Sequence, residues 1–124
     1  MPTPHNYTYQ TAREAFLSRT SESEQITYQH PEQGPDGDIA MDVAYWAAPQ
    51  SQDVLVISSG THGVEGYCGS FNQCALLDEG LAARTSKNMS LMMIHGVNPY
   101  GFAWQRRVNE NNVDLNRNFI DHSK

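Results

Sequence analysis

Within the stretch Ser58 to Gly66, reading SSGTHGVEG, His62 and Glu65 stand three positions apart, with Gly60, Gly63 and Gly66 spaced evenly around them. An imidazole and a carboxylate at that spacing can reach one cation, and a set of two histidines and a glutamate with one open position is an established catalytic zinc arrangement. The glycines let the backbone turn sharply enough to aim both side chains to the same side. A glycine-rich turn carrying a solvated glutamate would read the same way, so the pair needs company. Further along, Arg106 and Arg107 precede Asp114-Leu115-Asn116-Arg117-Asn118, a concentration of cations and amides. An arginine beside a metal can stabilise an oxyanion, and a second can hold a carboxylate through paired hydrogen bonds. The simpler use of such arginines is a surface pair with Glu110 or Asp121, worth little to stability, and this is the reading preferred for Arg106.

Both segments follow apolar runs. DVLVISS, residues 53–59, is almost continuously apolar and β-branched, as for a central strand buried on both faces. A helical pattern follows from Glu65 to about Glu79, with Tyr67, Phe71, Cys74 and Leu77 or Leu81 along one side and Gly80 as its stop. MSLMMIHGVNP then gives a second buried strand ended by Gly96 and Pro99. Strand, helix, strand with a right-handed crossover makes the two strands parallel. Their carboxyl ends then open on one crevice, where the THGVEG and HGVNPYG loops meet.

Upstream, TYQTAREAFLSRTSESE reads as a first helix with Ala12, Ala15, Phe16 and Arg19 at helical spacing. ITYQH is a short strand, PEQGPDGD a turn, and IAMDVAYWA a half-buried antiparallel strand with Ile39, Met41, Val43 and Tyr45 on one face. The fold class is therefore α/β, with a mixed sheet flanked by helices. The last quarter shows no clear period.

The chain has 124 residues, room for one domain with a modest core. Acidic residues outnumber Lys and Arg 14 to 8 and no basic run appears, which argues against nucleic acid or an anionic membrane as partner. No window approaches the ~18 apolar residues of a membrane span, and the N-terminus lacks the basic and apolar regions of a signal peptide, so a cytoplasmic location is expected. Cys68 and Cys74 fall six residues apart on one helix, about 9 Å along its axis, too far for a disulfide, and read as reduced core thiols. Ser58, Ser59 and Ser70 lie in no GxSxG elbow, which removes the support for a serine hydrolase.

Taken in order, HGVEG, NPYG, the arginine pair and VDLNRNF resemble the motif series of the zinc carboxypeptidase superfamily, which includes the aspartoacylase and succinylglutamate desuccinylase deacylases. The wording NPYGFAW…RRVNENNVDLNRNF looks closest to a bacterial branch of it, and the resemblance runs from about Val54 to Phe119. It implies that His62 and Glu65 are two of three ligands to Zn2+. It implies Arg107 as the arginine that polarises the scissile carbonyl, with Arg106 close enough to leave that choice open. Asn116 and Arg117 match the pair that grips the substrate's carboxylate, and Asp114 the carboxylate that hydrogen-bonds the ring of the first ligand. The implied substrate is a small peptide or an N-acyl amino acid with a free carboxylate.

In the superfamily the third ligand, a histidine, and the general-base glutamate lie beyond the equivalent of Phe119. Residues 1–124 are thus expected to be the N-terminal portion of a carboxypeptidase-like domain, inactive by themselves. His95 leaves the second strand, but a strand-end histidine is more often a hydrogen-bonded structural residue. His5, His30 and His122 show no link to the crevice, and Glu79 and Glu110 carry no mark of a general base. A remnant that binds carboxylates without hydrolysis is the alternative. A sheet lacking flanking strands would also expose an edge open to self-association.

Overall fold

The structure, a computed structural model, describes residues 7–121, 123 and 124. His5 and His122 lie outside the described residues. Helix α1 (Tyr9–Arg19) starts on a capping box in which Thr8 and Thr11 satisfy each other's free backbone N–H groups. It ends earlier than its polar continuation suggested, because Thr20 turns its hydroxyl back on the carbonyls of Phe16 and Leu17.

Strands β1 (Glu24–Gly34) and β2 (Gly37–Trp46) form a long hairpin. The stretch PEQG, expected in a turn, extends β1 instead. Its proline sits at a break in register between Gln29 and Gln33, where a missing donor costs no ladder bond, and the turn shrinks to Pro35 and Asp36.

Strand β3 (Val54–Ser58) leads through the site loop into α2 (Gly66–Asp78) and a short α3 (Leu81–Thr85). Strand β4 (Ser90–His95) then inserts between β2 and β3, antiparallel to the first and parallel to the second, so the sheet order is β1-β2-β4-β3. A single-turn helix, α4 (Pro99–Ala103), follows, with Asn98 accepting a hydrogen bond from the Gly101 N–H. No helix among the described residues is long and apolar enough to cross a membrane.

Helices α1 and α2 cover one face of the sheet. Phe16 and Cys74 meet Ala44, Leu91 and Met93 there, with Leu55 and Ile57 packed alongside. That arrangement corrects two expectations. Strand β2 is buried on both faces and not on one: Ala40, Asp42 and Ala44 lie under the helices, and at the alternate positions Ile39 and Val43 are also buried while Met41 and Tyr45 are half-buried. Alanine lets α1 approach closely, and Asp42 tolerates burial because Arg13 and Thr27 satisfy it.

Strand β3 is not central. Among the described residues it pairs only with β4, and Leu55 and Ile57 face the helices while Val54 and Val56 remain about half exposed. A continuous apolar run shows that both faces resemble core; it does not say which neighbours cover them.

Helix α2 buries Ser70, Gln73 and Cys74 and leaves Phe71 exposed. The two polar residues bind inward. Gln73 donates to the carbonyls of Ile57 and Ile94, tying α2 to β3 and β4, and Ser70 bonds His95. Cys74 is a buried free thiol as expected, its pKa raised by burial, whereas Cys68 is exposed.

Candidate functional site

The pairing of β3 and β4 continues past the ends of the strands. Ser59 N–H donates to the Ile94 carbonyl, Val97 N–H to Ser59, and Asn98 N–H to Gly60, which holds the two loops side by side beyond the carboxyl ends. The third-position glycines have a shared cause. A side chain on Gly63 would drive into the backbone of Gly101 and Phe102, and one on Gly66 into the Phe102 ring. Gly60, at a left-handed φ of 73°, lies against the same ring and Gly96. The loop is thus packed backbone-first onto α4, which leaves its side chains at His62 and Glu65 turned away from that contact.

Both nitrogens of the His62 ring meet carboxylates. Nε2 lies 3.0 Å from Asp114 Oδ1, and Nδ1 lies 3.2 Å from Glu65 Oε2. The Glu65 side chain is 64% exposed, so its carboxylate approaches His62 from the solvent side. Asp114 is shared further: Arg107 Nε donates to its Oδ2 at 2.9 Å, and the backbone N–H of Asn116 to its Oδ1. Partial desolvation would raise the Asp114 pKa, but the hydrogen bonds from Arg107, Asn116 and His62 outweigh it and hold the carboxyl below its ordinary value. An ionised Asp114 favours the His62 tautomer with its proton on Nε2, and in that tautomer the Nδ1 lone pair faces a second carboxylate. Two acceptors at 3.2 Å repel unless a proton or a cation lies between them.

Those donors fit zinc. Ligands each about 2.1 Å from a tetrahedral zinc stand ~3.4 Å apart, close to the separation of Nδ1 and Oε2. The fit extends to two donors only: among the described residues no group of three His, Cys, Asp or Glu side chains converges on one point.

A cleft of about 400 Å³ opens beside the pair, lined among others by Ser58, Ser59, Thr61, His62, Glu65 and Asn116. Arg117 lies outside it. Its guanidinium bonds the Asn116 carbonyl and borders a neighbouring hollow with Asn112, Asp114 and Asn118, so the expected carboxylate-gripping pair is split between two depressions. Arg107 uses only Nε on Asp114 among the described residues, and its terminal nitrogens make no other protein hydrogen bond.

Arg106 does not reach Glu110 or Asp121; it bonds Asn112, while Glu110 pairs with His30, 3.3 Å away. His95, as expected of a structural residue, is fully buried, bonded to Ser70 and stacked on Phe16. Phe102 had no mark in the sequence beyond its place in NPYGFA, and its role emerges only from the glycines packed on it.

A family model described as "Protein of unknown function (DUF2817)" matches residues 5–124. The chain belongs to the DUF2817 family. No curated protein matches it. This DUF2817 chain is similar in structure to thrombin activatable fibrinolysis inhibitor (TAFI), with a TM-score of 0.59 and 15% sequence identity over 94% of its own residues. It spans 35% of that chain. The likeness shows a carboxypeptidase-like fold: a mixed four-stranded sheet flanked by helices, corresponding to part of such a domain.

Proposed function

We propose that these residues furnish the His62–Glu65 part of the centre of a zinc-dependent hydrolase of carboxypeptidase type, acting on a C-terminal peptide bond or an N-acyl amino acid. The observation that carries the reading is His62 held between two carboxylates, its Nε2 on Asp114 and its Nδ1 turned toward Glu65. Zinc, when bound, polarises a carbonyl and lowers the pKa of a water. Around it, Asp114 fixes the tautomer and orientation of His62. The terminal nitrogens of Arg107 are available to a carbonyl oxygen as negative charge develops on it. Asn116 contributes an amide to the cleft, and Arg117 a cation in the neighbouring hollow for the substrate's free carboxylate.

A second reading, carboxylate binding without hydrolysis, is favoured by the two-donor limit among the described residues. Self-association through the outer edge of β3 belongs with either reading, since Val54 and Val56 are exposed beside it.

Competition of the chain against a chromophoric zinc chelator tests the metal. Binding is expected, and it is expected to vanish in His62→Ala and Glu65→Ala. Zinc uptake unchanged in both variants would remove the site. Amine release from N-acyl amino acids and C-terminal dipeptides tests the chemistry, and a zinc-binding but silent protein would favour the second reading.

A further inference from the structure

We infer that Phe102 is the positioning residue of this site: its ring and backbone form the platform that sets where His62 and Glu65 stand, and the metal affinity of the pair depends on it. The inference rests on the zinc reading above and goes further by naming what holds the two donors in place.

Three contacts carry it. A Cβ on Gly66 would drive into the Phe102 ring, and one on Gly63 into the Phe102 backbone nitrogen. One on Gly60 would stand 3.3 Å from the same ring. Every third residue from Gly60 to Gly66 therefore touches Phe102, and His62 and Glu65 lie between those anchors.

The platform is itself fixed. Phe102 is fully buried and meets Tyr67, Tyr9 and His95 edge-on or tilted, with ring centroids 4.7, 5.2 and 5.6 Å away. Asn98 caps α4 from below and donates its own N–H to Gly60, so ring and loop are referenced to one frame. Replacing the ring by a branched aliphatic chain leaves space under the loop, and a loop of glycines has little stiffness with which to hold its place. Displacing a metal ligand by a fraction of its bond length is enough to weaken binding.

The test compares two core phenylalanines of equal burial. Phe102→Leu and Phe16→Leu are each expected to lower thermal stability, since both rings are fully buried. Only Phe102→Leu is expected to change the metal site: a loss of Co2+ and Zn2+ affinity of about ten-fold, the low end of the range for groups that orient ligands, with an altered visible spectrum of bound Co2+. Phe16→Leu should keep both within two-fold.

All are measured on the full chain at a temperature where circular dichroism shows it folded. Should Phe102→Leu fail to fold, Gly66→Ala reads the same contact from the other side, by pressing a methyl on the ring, and should give the same loss. Equal affinity and spectrum in wild type and either of these variants would overturn the inference while leaving the metal reading standing. Metal binding that ignores His62→Ala would overturn both.

Discussion

Two clusters in this protein each join a histidine, an aspartate and an arginine, and their surroundings give them opposite duties. Under α1, Arg13 holds Asp42 through both oxygens at 2.7 and 3.1 Å, Thr27 adds a third bond, and His95 stands directly across the sheet in register with Asp42. At the carboxyl ends of β3 and β4, Arg107 and His62 share Asp114. The Asp42 side chain is 1% exposed and that of Asp114 18%. Arg107, at 51%, is far more open than Arg13 at 20%. In the inner cluster Asp42 and Arg13 are bound to each other under the fold, and the unpartnered Nδ1 of His95 is enclosed away from solvent. The outer one leaves an imidazole nitrogen, a carboxylate and guanidinium nitrogens facing solvent. The same side chains clamp a sheet in one place and can handle a substrate in the other because of what covers them.

The largest effect is expected from Asp42→Ala. It leaves the half-buried Arg13 guanidinium without its partner and a cavity beside β2, a loss of about 3–5 kcal/mol. Urea unfolding should show a lower midpoint with an unchanged slope. A cost near that of an exposed pair would show that the inner cluster is no clamp. The Arg13→Ala/Asp42→Ala double variant should recover part of the loss, since it removes both charges together.

His95 gives the next effect, as a pH dependence. Burial pushes its pKa down to about 4, with Asp42 opposing and Arg13 assisting to lesser degrees. The unfolded chain binds the proton near pH 6.5, the folded chain only near 4. Between those values the unfolded state holds more protons, so stability falls as pH drops through that window, by about 3 kcal/mol in all. The full contribution is present above pH 6.5. His95→Gln, which keeps a donor for Ser70 but cannot titrate, should flatten the slope between pH 6.5 and 4. An unchanged slope would mean that another group sets it.

How much of this could be read beforehand differs between the two clusters. His62, Glu65, Asp114 and Arg107 stand out because their types and order resemble a catalytic series, and the structure brings the four together. Asp42 and Arg13 carry no such mark. Asp42 alternates along its strand with Ile39, Met41 and Val43, which point to the other face, and the approach of α1 over Ala40 and Ala44 is what buries it. The same limit explains β3, whose valines look as buried as its leucine and isoleucine until the sheet order is known. It also explains α2, where Ser70 and Gln73 face inward for the sake of His95 and two strand-end carbonyls. Periodicity reports the chemistry of a face; partners distant in sequence decide whether it is covered.

A third outcome sharpens the contrast at the outer cluster. Asp114→Asn is expected to leave the thermal midpoint nearly where it was, because the residue anchors a surface loop and not the core. An amide can still accept from Nε2 but carries no charge to favour that tautomer, and zinc affinity should fall 10- to 100-fold. A large drop in stability with unaltered zinc affinity would place Asp114 with Asp42 as a structural residue.

The smallest change in stability is expected from Arg107→Ala. Half-exposed and bound to Asp114 through one nitrogen, the guanidinium adds little to the fold, since such pairs are screened and hold flexible side chains. Zinc affinity should shift less than in Asp114→Asn, because the Asn116 N–H and His62 still meet the carboxylate. Where the protein turns over an N-acyl amino acid or a C-terminal dipeptide and the terminal nitrogens face a developing oxyanion, the loss appears in kcat at near-constant zinc content, on the order of 10²–10³-fold for one such donor. A loss confined to zinc content would instead make Arg107 a support for Asp114, and the outer cluster would then resemble the inner one, an arginine whose task is to hold an aspartate still.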